Sequence, residues 1–315
     1  MTTTAKIYLA PFQGITGQVF RACYAKHFNG VDAMYTPYFA GINHDSRLSE
    51  KKKTELQSIS ENGIRIVPQI LSKDAEEIIR FAGILKNLGF TELNWNLGCP
   101  FPQVANKKRG SGMLPYPALV LEILEQVFSE IAIPFSIKCR LGYFSPDEID
   151  ELVPVFNRFP LLEVIIHPRI GKQLYTGIAD PDKYAAIEKQ LQMPVVYNGD
   201  IFTKDDFDRM QNIFPSRHSW MIGRGILSDP FLPARIKGLP LPENTTMHLK
   251  KFVDDLYYSY RKQTIDNLAT IGFMKEYWRY ISESFPDPHK VLKKIKKTRS
   301  FDEYEDAVAE VFQQP

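Results

Sequence analysis

Eight short, β-rich apolar runs punctuate residues 6–222, and longer amphipathic segments separate them. This alternation constrains the fold more than any other feature of the chain. The runs fall at 6–10 (KIYLA), 32–36 (DAMYT), 64–70 (IRIVPQI), 92–96 (ELNWN), 134–140 (PFSIKCR), 162–167 (LEVIIH), 194–198 (PVVYN) and 218–222 (SWMIG). Most are nearly continuous hydrophobic stretches, as parallel strands covered by helices require. Residues 75–89 place Ile78, Ile79, Ala82, Leu85 and Leu88 on one helical face and stop at Gly89. The segment 117–131 opens with Pro117 in a first-turn position, and 205–214 opens with acids that suit a helix N-terminus. Eight β–α units in about 240 residues predict a TIM (β/α)8 barrel. A doubly wound sheet would normally carry a Gly-rich fingerprint after its first strand. Here that strand runs into Ala10-Pro11-Phe12-Gln13-Gly14, and no G-x-G-x-x-G or Walker A motif follows.

The pattern changes at 238–246, where GLPLPENTT reads as a linker. Beyond it, 248–263, 269–285, 289–300 and 304–314 have helical periodicity. The predicted organisation is therefore a barrel over 1–240 and a small all-α bundle over 241–315. With 44% hydrophobic residues the chain is not a disordered one. No apolar run approaches membrane-helix length, and the N-terminus lacks a secretory pattern. Three cysteines (Cys23, Cys99, Cys139) without a C-x-x-C pair exclude a disulfide framework and give no zinc spacing. A reducing cytoplasm is the expected compartment. No H-E-x-x-H or G-x-S-x-G occurs, so neither a metal nor a serine nucleophile is expected.

Barrel sites lie at the C-terminal strand ends. Those ends carry Pro11, Phe12 and Gln13; Gln69; Asn96 leading to Cys99; Lys138 and Arg140; His167 and Arg169; Asn198, Gly199 and Asp200; and Gly223 and Arg224. Lys138 inside an apolar strand is the hardest to explain structurally, because a buried ammonium is costly unless an anion meets it. The glycine-bearing loops after strands seven and eight suit a phosphate, with Arg224 as a fork. A free thiol is ordinarily buried and inert. Cys99 instead stands between Gly98 and Pro100 at the mouth. Cys139, next to Lys138, should point into the helix layer by strand alternation.

In order and spacing these residues resemble the tRNA-dihydrouridine synthases. The resemblance runs from Ala10-Pro11-Phe12-Gln13-Gly14-Ile15-Thr16 through Gln69 to Asn96-x-Gly98-Cys99-Pro100, its most specific signature. It continues with Gly110-x-Gly112, Lys138-x-Arg140-Leu141-Gly142 and His167-x-Arg169, then Tyr175 and Gly177. Asn198-Gly199-Asp200-Ile201 and Ile222-Gly223-Arg224-Gly225 close it. The chain departs from the family pattern at Phe12, where Met is usual, at Leu114-Pro115-Tyr116-Pro117 and at Pro168. The resemblance implies FMN at the barrel mouth, with Pro11, Phe12 and Gln13 beside the ring and Gln69 and Lys138 on its polar edge. It places His167 toward the ribityl side, and Asn198, Gly199, Asp200, Gly223 and Arg224 at the ribityl phosphate. It implies NADPH as reductant, hydride delivery from flavin N5 to uracil C6, and Cys99 as the proton donor to C5. Asn96, Arg140, Arg169 and Tyr175 become substrate contacts. The alternative is a dihydroorotate dehydrogenase-like FMN barrel acting on a small molecule, and a third reading is a tRNA-binding protein without flavin. The helical tail and the Asn96–Pro100 signature favour the first.

Lys+Arg total 39 against 37 Asp+Glu, a near balance that hides local clusters. Lys290, Lys293, Lys294, Lys296, Lys297 and Arg299 lie in one acid-free stretch, with Val291, Leu292 and Ile295 as an apolar stripe. Ordinarily this is a solvated helix face. On a tRNA enzyme, Lys290, Lys293, Lys294 and Lys297 become expected phosphate contacts, as do Lys107, Lys108 and Arg109 near Cys99. Lys51, Lys52 and Lys53 form a third cluster. The tail aromatics Tyr257, Tyr258, Tyr260, Tyr277, Trp278 and Tyr280 read as bundle core. The expected partner is tRNA. No protein partner is inferred, and a monomer is expected.

Overall fold

In the computed structural model, which describes residues 5–42, 48–57, 60–263 and 267–313, all eight runs form strands. They are β1 (Lys6–Leu9), β2 (Ala33–Phe39), β3 (Ile64–Ile70), β4 (Leu93–Leu97), β5 (Phe135–Gly142), β6 (Val164–Ile170), β7 (Val195–Tyr197) and β8 (Ser219–Ile222). Each pairs in parallel with its neighbours, and β8 pairs with β1, closing a TIM barrel. A two-residue antiparallel stub, Ser60–Glu61, caps β3.

Sequence chemistry explains the irregularities. Pro37 and Pro168 cannot donate to the ladder, and both lie where the pairing register shifts, between Tyr35 and Tyr38 and opposite Arg140 to Gly142. The helix Ala75–Asn87 begins on Asp74, whose carboxylate accepts from Glu76 N at 3.0 Å. It stops before Gly89 at φ +86°. Pro117 opens Pro117–Glu130, and a reciprocal Thr203/Asp206 cap opens Lys204–Ile213.

Cys139 is fully buried in the core between strands and helices, as alternation requires. The interior of the barrel holds a separate cluster including Tyr8, Tyr35, Val67, Ile165 and Met221. After β8 the described residues form no further strand. Four tail helices follow: Thr245–Gln263, Asn267–Ile281, Pro288–Lys297 and Phe301–Gln313. No helix among the described residues is long and apolar enough to cross a membrane. The tail shares its core with the barrel. Phe252 and Tyr277 pack edge-on against Phe20 of the first barrel helix, with centroids at 6.1 and 5.6 Å.

The barrel floor is unusually polar. The Tyr35 hydroxyl donates to Glu163 at 2.7 Å, and Arg65 pairs with Glu92. Burial, and then the neighbouring Glu92 carboxylate, push the Glu163 carboxyl up to about 7. A raised folded-state value favours the protonated acid, so its contribution is complete below the unfolded carboxyl range and is lost as pH rises through about 7. Glu163→Gln keeps an acceptor for Tyr35 and removes the titration. It should be more stable than the parent at pH 8 by on the order of 2 kcal/mol and match it near pH 4. Thermal melts across that range check this, and an unaltered pH slope would count against it.

Candidate active site

A cavity of ≈ 330 Å³ opens at the C-terminal mouth of the barrel. Pro11, Phe12, Gln13, Gln69, Asn96, Cys99, Lys138, Arg140, His167 and Tyr175 all line it. Arg169, Asn198, Gly199, Asp200, Gly223 and Arg224 lie outside that lining. Arg169, Asp200 and Arg224 border a neighbouring cleft of ≈ 490 Å³, and Tyr175 touches both spaces. A larger cleft of ≈ 870 Å³ separates barrel from tail and shares Arg279 and Tyr280 with the cavity. Cations, amides and a thiol converge in the smallest of these spaces, which makes it the candidate site.

The turn after β1 is closed by Thr16, whose hydroxyl accepts from Phe12 N at 2.8 Å. Phe12 is thereby fixed against Gly223, where an added Cβ would meet its ring at 2.7 Å. Gly199 is equally constrained, since a Cβ would stand 2.1 Å from the Tyr197 hydroxyl. Asn198 ties the ends of β7 and β8 together by donating to the Met221 carbonyl at 2.8 Å.

Cys99 is held by its surroundings. The Asn96 side-chain oxygen accepts from Gly98 N at 3.0 Å and Cys99 N at 2.8 Å. The Cys99 carbonyl accepts from Ser111 N and the Ser111 hydroxyl, both at 3.0 Å. The departing loop forms a 3-10 turn, Gly110–Met113, pressed onto this segment. A Cβ at Gly110 would lie 2.7 Å from the Cys99 carbonyl oxygen, and one at Gly112 would lie 2.2 Å from the Ala105 oxygen. Burial raises the Cys99 thiol above its ordinary value, against smaller opposing effects of the Phe101 backbone, Arg140 and Lys138. At neutral pH it is a protonated acid.

Lys138 has no hydrogen-bond or carboxylate partner among the described residues. Burial, then Arg140, lower its ammonium to about 8. His167 is pushed well below 6.5 by burial and then by the surrounding cations, Arg140 first among them. Its ring is therefore neutral. Arg169 can only donate, so at 3.0 Å the His167 Nε2 accepts and the ring proton sits on Nδ1. Arg140 donates from Nε to the Gly98 carbonyl at 3.1 Å and from a terminal nitrogen to Ile170 at 2.9 Å, bracing the Cys99 loop. Arg169 grips Asp200 through two nitrogens at 2.9 and 2.5 Å, and Asp200 also accepts from Arg224 at 2.8 Å. Asp200 thus orients two guanidiniums. Tyr175 lies under Arg224, 4.7 Å from its ring centroid, and under Arg140 at 5.4 Å.

The sequence reading did not anticipate Tyr38, Phe101, Glu276, Arg279 and Tyr280 in this lining. Tyr280, expected in the bundle core, reaches Phe12 edge-on at 5.8 Å, whereas Tyr257, Tyr277 and Trp278 are core residues. Lys290, Lys293, Lys296 and Lys297 are exposed and carry no ion pair among the described residues, but Lys294 is taken by Glu310. Lys107 and Lys108 are exposed, Lys108 lying 4.2 Å from the Tyr116 ring centroid, and Arg109 is half-buried. Among the described residues no group of three metal-ligating side chains forms.

Fold and site together define a TIM barrel with a polar, thiol-bearing cavity at its C-terminal mouth. The chain belongs to the dihydrouridine synthase (Dus) family, whose pattern it matches over residues 8–314. It is similar to tRNA-dihydrouridine synthase B of Pasteurella multocida, 31% identical over 72% of this chain and 67% of that protein. The protein of the same name from Proteus vulgaris is 28% identical over 95% of this chain and 90% of its own length. Among solved structures, the barrel resembles a morphinone reductase mutant in complex with tetrahydroNAD, with TM-score 0.53, 11% identity, and coverage of 77% of this chain and 89% of that one.

Proposed function

We propose that this chain binds FMN at the barrel mouth and reduces the C5=C6 bond of D-loop uridines in tRNA, with NADPH as electron source. Donor–acceptor accounting carries the reading. The cavity offers the Lys138 ammonium, the Arg140 guanidinium and the amide hydrogens of Gln69 and Asn96, with Glu276 as the one carboxylate among the described residues that line it. A ligand that is nearly all acceptor along one edge, and anionic when reduced, fits that lining. The Gly199 and Gly223 backbones, which no side chain could replace, and Arg224 held by Asp200 suit a terminal phosphate. Bound there in its reduced form, FMN would supply hydride chemistry toward the uracil ring.

The chain's own residues do the rest. Lys138 stabilises negative charge at the cofactor's polar edge. Cys99 holds a proton for C5, and Asn96 keeps that thiol's loop in place while facing the same cavity. Access requires the base to leave its stack. Arg169 braces Asp200 and His167, while Arg140 and Tyr175 face the base. Lys107, Lys108, Arg109, Lys290, Lys293 and Lys297 supply phosphate contacts. Lys294, already paired with Glu310, contributes less. The purified chain should be yellow, and with NADPH it should add the mass of two hydrogens to uridines of an unmodified tRNA transcript. A colourless protein that leaves the transcript unchanged would refute this. A yellow one that oxidises NADPH without touching RNA would favour the small-molecule alternative.

A further inference from the structure

The interior of the barrel contains a hydrogen-bond ladder that ends in the candidate site. Its rungs come from one strand and the two beside it. Glu92, just before β4, and Asn94 and Asn96 within it share one parity and so point to the barrel axis. Gln69 on β3 lies level with Asn94, and Asn94 lies level with Ser136 on β5. The Ser136 hydroxyl donates to Glu92 at 2.5 Å, and Asn94 donates to Ser136 at 2.9 Å. Gln69 donates to Asn94 at 2.7 Å, and Asn96 donates to Gln69 at 2.6 Å. Asn96 finally accepts from the Cys99 backbone N–H at 2.8 Å. Gln69, Asn94 and Ser136 are completely buried.

Both ends of this ladder have a fixed sense. A backbone N–H can only donate, and a carboxylate ion-paired with Arg65 can only accept. Every amide between them must therefore point the same way. One hydrogen on each of Gln69, Asn94 and Asn96 has no protein acceptor among the described residues, and of the three Gln69 and Asn96 line the cavity. We infer that Asn94 and Ser136, which lie outside the cavity lining, are positioning residues: with Glu92 they fix which edge of the Gln69 and Asn96 amides faces the cavity, and they hold the Cys99 loop closed. A single reversed rung would leave a buried donor facing a donor, so the whole ladder keeps its direction or opens. The ligand side of this inference rests on the flavin reading. The thiol side does not.

The test uses Asn94→Leu, which removes a rung while keeping the branched shape of the side chain, and Ser136→Ala, with Glu163→Gln as the control. Glu163 belongs to the same floor layer but not to the ladder. The first readout is the rate of Cys99 alkylation by iodoacetamide in the flavin-free full chain, with Cys99→Ser run alongside to subtract Cys23 and Cys139. The second is the FMN dissociation constant. Both ladder variants should raise the alkylation rate roughly five- to tenfold and weaken FMN by roughly tenfold, as expected for one lost hydrogen bond. Glu163→Gln should shift only the melting temperature. Unchanged alkylation in the folded ladder variants overturns the inference, and so does equal acceleration in Glu163→Gln. If Asn94→Leu does not fold, Ser136→Ala decides. A chain that takes up no FMN fails the flavin reading, while the alkylation rates still decide the ladder.

Discussion

Cys99→Ala is expected to cut uridine reduction by roughly 10²–10⁴-fold, the usual worth of a positioned general acid. NADPH oxidation and the visible spectrum of the bound cofactor should be unchanged. The separation follows from geometry. Cys99 lines the cavity, and its loop is held through backbone atoms, by Asn96 and Ser111. Removing sulfur leaves those contacts intact. Because burial raises the thiol, the proton donor stays loaded across neutral pH, and activity should fall only on the alkaline side as the thiol ionises. Stopped-flow measurement of the two half-reactions separates the outcomes. Loss of cofactor reduction along with uridine reduction would show that Cys99 is structural.

Lys138→Met should weaken FMN by roughly 30- to 100-fold at pH 7, the loss of a buried charge-assisted contact. Methionine keeps the apolar stem and removes the charge. The parent protein should also show a signature that the variant lacks. With the free ammonium lowered to about 8, the cationic, binding-competent form dominates below that pH. Affinity should be flat up to about pH 8 and decline above it, because an anionic ligand binds the charged form and draws its titration upward. Isothermal titration at several pH values tests this. A variant of unaltered affinity, or one that retains the alkaline decline, would remove Lys138 from the cofactor site.

The barrel was legible because parallel strands covered on both faces are long apolar runs between helical ones, and the strand-end residues follow from that register. Lys138 is visible as a charge out of place in an apolar strand, Cys99 as a thiol between Gly98 and Pro100 at the mouth, and Gln69 as a polar strand end. The ladder was harder to see. ELNWN reads as apolar at a glance, yet Glu92, Asn94 and Asn96 occupy one parity and Leu93, Trp95 and Leu97 the other, which the alternation of polarity could have revealed. The family resemblance implies a place for Asp200 at the ribityl phosphate, and its neighbours Asn198 and Gly199 read equally as a turn. Only the third dimension shows it between Arg169 and Arg224. Glu276, Arg279 and Tyr280 could not be placed from sequence, since helical periodicity says which face is apolar and not which partner that face meets.

The reach of Asn267–Ile281 into the cavity has an evolutionary corollary. A tail that only carried substrate could be exchanged between relatives like a tool head. This one supplies part of the reaction chamber's wall through Tyr280 against Phe12, and its core merges with the barrel's first helix at Phe20. Drift in the tail is therefore felt at the cavity wall, so changes in the tail and in the cavity must be accommodated together.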